Sequence, residues 1–229
     1  MPDEIRVGVL DDHQGILDGM RFRLEKSSRL KLVASASYAQ DLEAMLEEHQ
    51  LDLLFLDISV PIAPDNPSPY PILHDLPKLM RKHPDLAILV VSMHKEPALV
   101  KAIMETGASG YIVKDDAQAI QTITEIAISV ADGGGVYLSK SAAQYLVKRR
   151  PSDDGPTLTP RQKEMLSLCA SHPELKSAEI ADKMNIAPST LRNTFSDIYE
   201  RLGVRSRPAA VKEAQRLGLI PPNSLNNNL

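Results

Sequence analysis

The chain has 229 residues, enough for two compact units that each bury a core. Its one cysteine, Cys169, excludes an internal disulfide, no apolar run approaches the roughly 20 residues a membrane helix needs, and the start "MPDEIRVGVL" has neither a basic region nor a cleavage site, so a cytoplasmic protein with no membrane partner is expected. The net charge of -4 is unevenly divided: residues 1 to 131 hold 12 Lys and Arg against 20 Asp and Glu, whereas residues 155 to 229 hold 10 against 7, which suggests different partners for the two halves.

In chain order, "IRVGVL" (5 to 10), "KLVASA" (31 to 36), "LDLLFL" (51 to 56), "LAILVV" (86 to 91) and "YIV" (111 to 113) read as strands, most of them nearly continuous in apolar character. Helical spacing follows the first, second, fourth and fifth: Ile16, Met20 and Leu24; then Leu42, Met45 and Leu46; then Val100, Ile103 and Met104; then Ile120, Ile123, Ala127 and Val130. Between the third and fourth strands, five of the eleven residues in "PIAPDNPSPYP" are proline, which predicts a stiff extended flap beside the strand ends. Pro77 within "LHDLPKLMRKH" is expected to kink the next helix or delay its start. The alternation predicts an α/β N-terminal domain, a doubly wound five-stranded parallel sheet over residues 1 to 131.

Residues 132 to 154, with three consecutive glycines and the polar "RRPSDDGP", read as a linker carrying one short helix, "SKSAAQYLV". From 155 to 221 no strand period appears, and helical patterns at about 159 to 171, 177 to 184, 188 to 202 and 206 to 217 predict a small all-α domain. The tail, 222 to 229, reads as disordered. Within the second domain, "SAEIADKM", a tight turn through Asn185 and Ile186, and a helix opened by Ala187 and Pro188 form a helix-turn-helix pattern, which an αα-hairpin without a DNA role also shows.

Asp11 and Asp12 follow the first strand and Asp57 the third, which are neighbours at the carboxyl edge of such a sheet. Three converging carboxylates repel unless a cation sits among them, and an oxygen-only set favours Mg²⁺. Ser92 and Lys114 bring a hydroxyl and an ammonium to the same edge from the fourth and fifth strands. Each aspartate taken singly also fits a helix cap or an Asx turn; the five together do not.

"VLDDH", "FLDISVP", "VVSMH" and "GYIVKD" resemble the signature segments of receiver domains of two-component response regulators, flavodoxin-like in fold. The resemblance implies phosphoryl transfer from a histidine kinase to Asp57, with Mg²⁺ held by Asp12, Asp57 and the carbonyl of Ser59, and with Asp11 acting through water. It implies that Lys114 pairs with phosphoryl oxygens, that Ser92 donates to the new group, and that Tyr111 swings inward behind it. The proline-rich loop is longer than the family's.

"LTPRQKEML", "EIADKM", "STLRN" and "RLGVRSR" are similar to the LuxR-type helix-turn-helix of NarL/FixJ response regulators. By that resemblance Ser189, Arg192, Asn193 and Ser196 lie on the face toward double-stranded DNA, with Thr190, Arg201, Arg205 and Lys212 as phosphate contacts. Leu191, Ile198 and Leu202 fall on the opposite face. Thr194 and Ser196 stand where the family usually has a histidine and a second basic residue, which makes binding depend on a homodimer of the phosphorylated form. The six histidines show neither HxxxH nor HExxH spacing, "ADGGGVYL" lacks the lysine of a phosphate-binding loop, and Cys169 lies among core residues.

The expectation is a phosphorylation-controlled transcriptional regulator, not an enzyme beyond its own phosphorylation and dephosphorylation. Its rivals are a regulator that works without phosphorylation through partner proteins, and a haloacid-dehalogenase-like phosphatase, whose DxD motif is absent because Ile58 and Ser59 follow Asp57.

Overall fold

The computed structural model describes residues 4–147 and 156–222, so residues 148–155 of the polar stretch before the second domain and residues 223–229 of the tail expected to be disordered lie outside the described residues. The first domain runs β1 (Ile5–Leu10), α1 (Gln14–Leu24), β2 (Leu30–Ala36), α2 (Leu42–Glu48) and β3 (Leu53–Leu56). It continues through β4 (Pro61–Ala63), β5 (Asn66–Pro69), α3 (Ile72–Lys82), β6 (Ala87–Ser92), α4 (Pro97–Glu105), β7 (Gly110–Val113), α5 (Ala117–Gln121), α6 (Ile123–Ala131), β8 (Tyr137–Leu138) and α7 (Lys140–Val147). The main sheet is parallel in the order β2-β1-β3-β6-β7-β8. Period-two alternation decides which face each residue serves: Leu53 and Phe55 of β3 pack with α1 and α6, whereas Leu54 and Leu56 pack toward α2 and α3.

The sheet has one strand more than the sequence predicted. After α6 the glycines at 133–135, two of them at positive φ, turn the chain so that Tyr137 and Leu138 pair with Gly110 and Tyr111. A side chain at Gly110 would meet the Tyr137 carbonyl at 2.6 Å, so this close pairing needs glycine. Part of the expected linker is thus built into the sheet of the first domain. Ser139 fastens it, accepting at Oγ from the Val113 amide and donating its own amide to the Tyr111 carbonyl. Asp116 caps α5 and also accepts from the Ser141 amide, and these hydrogen bonds hold its carboxyl below the usual range.

Three other expectations change. The prolines do not form a plain extended flap: β4 and β5 pair antiparallel around Pro64 and Asp65, where proline presets the first turn position. Tyr70 closes the hairpin by donating its amide to the Val60 carbonyl. Nor does Pro77 delay α3, which already starts at Ile72 and runs through it to Lys82. The single helix expected near 120–130 is interrupted at Thr122, giving α5 and α6.

The second domain is all-helical: α8 (Pro160–Ser171), α9 (Ser177–Lys183), α10 (Pro188–Leu202) and α11 (Arg207–Arg216). Thr159 and Gln162 form a reciprocal capping box at the start of α8, and the same Gln162 side chain donates to Asp197 of α10. Asn185 turns the chain between α9 and α10 at φ 51, and Gly203 ends α10 at φ 66. Leu191, Phe195, Ile198 and Leu202 form the buried stripe of α10, and full burial of a residue such as Ile198 contributes about 1.5–3 kcal/mol. Among the described residues no helix is long and apolar enough to cross a membrane.

Candidate functional site

Parallel strands end together at one edge, and that geometry assembles the first site. Asp11 follows β1 and Asp57 follows β3; both are buried, and Lys114, at the end of β7, places its ammonium 2.6 Å from Asp11 Oδ2 and 2.7 Å from Asp57 Oδ2. The remaining oxygens are held by the local chain: Asp11 Oδ1 accepts from the His13 amide, and Asp57 Oδ1 accepts from the Ser59 amide, each at 3.0 Å. Burial disfavours the Lys114 ammonium, yet the carboxylates of Asp57 and Asp11 outweigh it and raise its pKa above the ordinary lysine value. Burial also pushes the Asp11 carboxyl up, with Lys114 opposing and Asp57 reinforcing the shift.

Asp12, His13, Asp11 and Asp57 offer ligand atoms that all lie within 4.8 Å of one another. Asp12 Oδ1 is buried with no aligned hydrogen-bond donor, although His13 Nδ1 lies 2.9 Å away. A buried carboxylate oxygen without a hydrogen bond, beside two more carboxylates in a donor set that contains no cysteine, fits a hard divalent cation such as Mg²⁺. Lys114 offsets only one of the three negative charges.

Ser92, at the end of β6, is fully buried and accepts from the His94 amide at 3.2 Å. Tyr111 is also fully buried, so its ring already occupies the inward position, and its hydroxyl donates to the His94 carbonyl at 2.7 Å. Burial raises its pKa above the usual tyrosine value. His94 itself is buried, shares a 3.0 Å hydrogen bond between Nε2 and Ser59 Oγ, and is pushed toward the neutral form by burial. His13 and His94 are the site neighbours that sequence spacing missed. The available signal was their place inside "VLDDH" and "VVSMH", each within two residues of a strand-end polar group.

A second surface lies on α10. Ser189, Thr190, Arg192, Asn193 and Ser196 are all exposed, and Arg192 has no ion pair among the described residues. Thr194 instead turns its hydroxyl back onto the Thr190 carbonyl at 2.8 Å. Arg205 and Lys212 are exposed, whereas Arg201 is engaged by Asp197 at 3.0 Å and by the Thr157 carbonyl at 3.2 Å. On α11, Ala210 and Ala214 are fully buried within the monomer, leaving Ala209 and Val211 half-buried at its surface.

The family described as "Response regulator receiver domain" matches residues 7–125, and the family described as "Bacterial regulatory proteins, luxR family" matches residues 156–214. The probable transcriptional regulatory protein NarL of Mycobacterium tuberculosis is 30% identical over 230 residues, covering 96% of this chain and 97% of the relative. The transcriptional regulatory protein LnrK of Bacillus subtilis is 28% identical, covering 94% of this chain and 98% of the relative. Among solved structures, RcsB from Salmonella enterica serovar Typhimurium, bound to promoter rprA in the presence of phosphomimetic BeF3-, shares the fold. It has a TM-score of 0.65 at 24% identity, covering 92% of this chain and 98% of that one.

Proposed function

Since the chain belongs to the two-component response regulators that join a receiver to a LuxR-type DNA-binding domain, we propose that Asp57 is its phosphoryl acceptor and α10 its DNA-reading helix. The chain is a DNA-binding transcriptional regulator of this family, and its residue roles rest on the geometry of the strand-end pocket. The observation that carries the reading is the shared contact of Lys114 with Asp11 and Asp57, which gathers a nucleophilic carboxylate and a fixed cation at the open edge of the sheet.

In the proposed reaction a carboxylate oxygen of Asp57 attacks the phosphorus of a kinase phosphohistidine. The phosphorus–nitrogen bond breaks, and the imidazole leaves with the electron pair. Lys114 then exchanges its contact with Asp57 Oδ2 for the incoming phosphoryl oxygens, and the Ser92 hydroxyl turns to donate to them. Asp12, Asp57 and the Ser59 carbonyl would hold Mg²⁺, with Asp11 acting through water; when bound, the ion neutralises charge on the phosphoryl group. Tyr111 keeps the space behind Ser92 filled.

Arg192, Asn193, Ser189 and Ser196 face the bases in this reading, and Thr190, Arg205 and Lys212 meet phosphates. Arg201 contacts phosphate only by giving up Asp197 or the Thr157 carbonyl. Phosphorylation favours a homodimer that presents two recognition helices to a two-fold operator. The test is incubation with acetyl phosphate and Mg²⁺, following phosphorylation by intact mass and dimerisation by light scattering, with Asp57→Asn as control. Labelling of the parent chain and not of the control is expected; an unlabelled parent would sink the reading in favour of regulation without phosphorylation.

A further inference from the structure

Between a strand and the following helix of such a sheet, a loop of about 2–6 residues is enough. The excursion through β4 and β5 is therefore not needed to connect β3 to α3. It does have a place in the molecule: β4 lies against the short turn at residues 39–41, and β5 lies against α8 of the second domain. There Ser171, fully buried at the end of α8, donates its hydroxyl to the Pro69 carbonyl at 2.5 Å. Pro67 and Pro69 have no amide hydrogen, and the Ser68 amide between them is taken by Asn66 Oδ1 at 3.1 Å, so this stretch has no amide left to donate. A further strand cannot zip onto it, whereas a side-chain hydroxyl can bind.

α3 continues the same junction. His74, 3% exposed, places Nδ1 at 3.0 Å from Glu164 Oε1 of α8, while the Lys78 ammonium contacts Nε2. An ammonium can only donate, so Nε2 accepts and the proton on Nδ1 is donated to Glu164. Apolar packing joins Tyr70, Ile72 and Leu73 to Met165, Leu166 and Leu168 in one buried cluster. Beyond it, Gly218 lies so close to Glu96, ahead of α4, that a side chain there would meet Glu96 Cβ at 2.5 Å. The junction is not filled throughout, since a cavity of about 490 Å³ remains among Leu73, Pro77, Ala102, Thr106, Arg161 and Glu164. The exposed face of α10 takes no part in it.

We infer that the proline hairpin and the start of α3 are the receiver's docking platform for its own DNA-binding domain, holding α8 through Ser171 and Glu164 while α10 stays outward. The platform is mechanically tied to the strand-end pocket, because the hairpin is closed by the hydrogen bond between Tyr70 and Val60, and Val60 directly follows Ser59, whose amide donates to Asp57 Oδ1 at 3.0 Å. Docking is thereby coupled to the state of Asp57; the docking itself stands without the phosphorylation reading, and only this coupling rests on it.

The test uses the full chain carrying Cys169→Ala, Ala98→Cys and Lys163→Cys. The last two positions meet across the junction, where the Lys163 ammonium lies 3.5 Å from the Ala98 carbonyl. A short bismaleimide should bridge them within one chain, detected by intact mass. Replacing residues 62–68 with two glycines should slow bridging by about fivefold or more, and Ser171→Ala with His74→Ala should slow it in the same direction. Equal bridging in the trimmed chain, with circular dichroism confirming both chains folded, would overturn the platform. Acetyl phosphate should change the bridging rate of the parent but not of its Asp57→Asn variant. A labelled Asp57 with an unchanged rate would overturn the coupling alone, and an unlabelled Asp57 would overturn the proposed function while leaving docking standing.

Discussion

Lys114→Met isolates the electrostatics of the pocket. The substitution keeps most of the apolar stem and removes the ammonium that contacts Asp11 and Asp57, both buried. With ligand atoms within 4.8 Å of one another, two carboxylates repel by about 3.5 kcal/mol at an effective dielectric constant near 20. Breaking a buried charge pair from one side costs about 3–5 kcal/mol, so a loss of that size is expected near pH 8. The sign with pH follows from Asp11, whose carboxyl is already raised by burial while Lys114 opposes the shift. Losing Lys114 raises it further, and a carboxyl with a raised folded pKa loses stabilisation as pH rises through that value. The deficit against the parent should therefore be largest near pH 8 and shrink toward about pH 4. Urea unfolding followed by circular dichroism at several pH values measures it. Added Mg²⁺ should recover part of the loss at high pH, since it binds the folded carboxylates. A deficit below about 1 kcal/mol, or one independent of pH, would refute the account of Lys114 as the counter-ion of a repelling pair.

Burial pushes the Cys169 thiol from 9.0 up to about 11, so the parent should lose stability relative to Cys169→Ala as pH rises through that window, by about 1.4 kcal/mol per unit; parallel unfolding curves with equal pH slopes would contradict this. Gly110→Ala would put a methyl within 2.6 Å of both Leu89 Cδ2 and the Tyr137 carbonyl, and is expected to release β8 from β7, read as faster hydrogen exchange at the Tyr137 and Ser139 amides. With an operator obtained by selection from random duplexes, Arg192→Ala should cost about 1–3 kcal/mol and relax preference at one base pair. Lys212→Ala should instead weaken all duplexes similarly and lower the salt slope by about one; a change in sequence preference would move Lys212 to the base-reading set.

Much of the first site is legible in sequence because a parallel strand fixes the position of the residue that follows it. Asp11, Asp57 and Lys114 are far apart in the chain, yet each directly follows an apolar run, and the sheet order brings the runs together. The helices of the second domain are legible for a similar local reason: the patterns at about 159 to 171 and 188 to 202, the latter opened by Pro188, match α8 and α10 nearly residue for residue. What sequence alone determined, then, were most of the elements, the carboxylate set and the outward face of α10, all signals carried within a few neighbouring residues.

Only the tertiary structure decided the rest, because those features depend on which distant segments share a boundary. Tyr137 and Leu138 have too short a pattern to announce a strand, and they form one because Gly110 lets the backbone approach. His94 gains its place from Ser59, 35 residues away. The prolines between β3 and α3 predict stiffness but not direction; the hairpin meets α8 at Ser171 and the start of α3 meets it at Glu164, whose partners Pro69 and His74 lie 102 and 90 residues earlier in the chain.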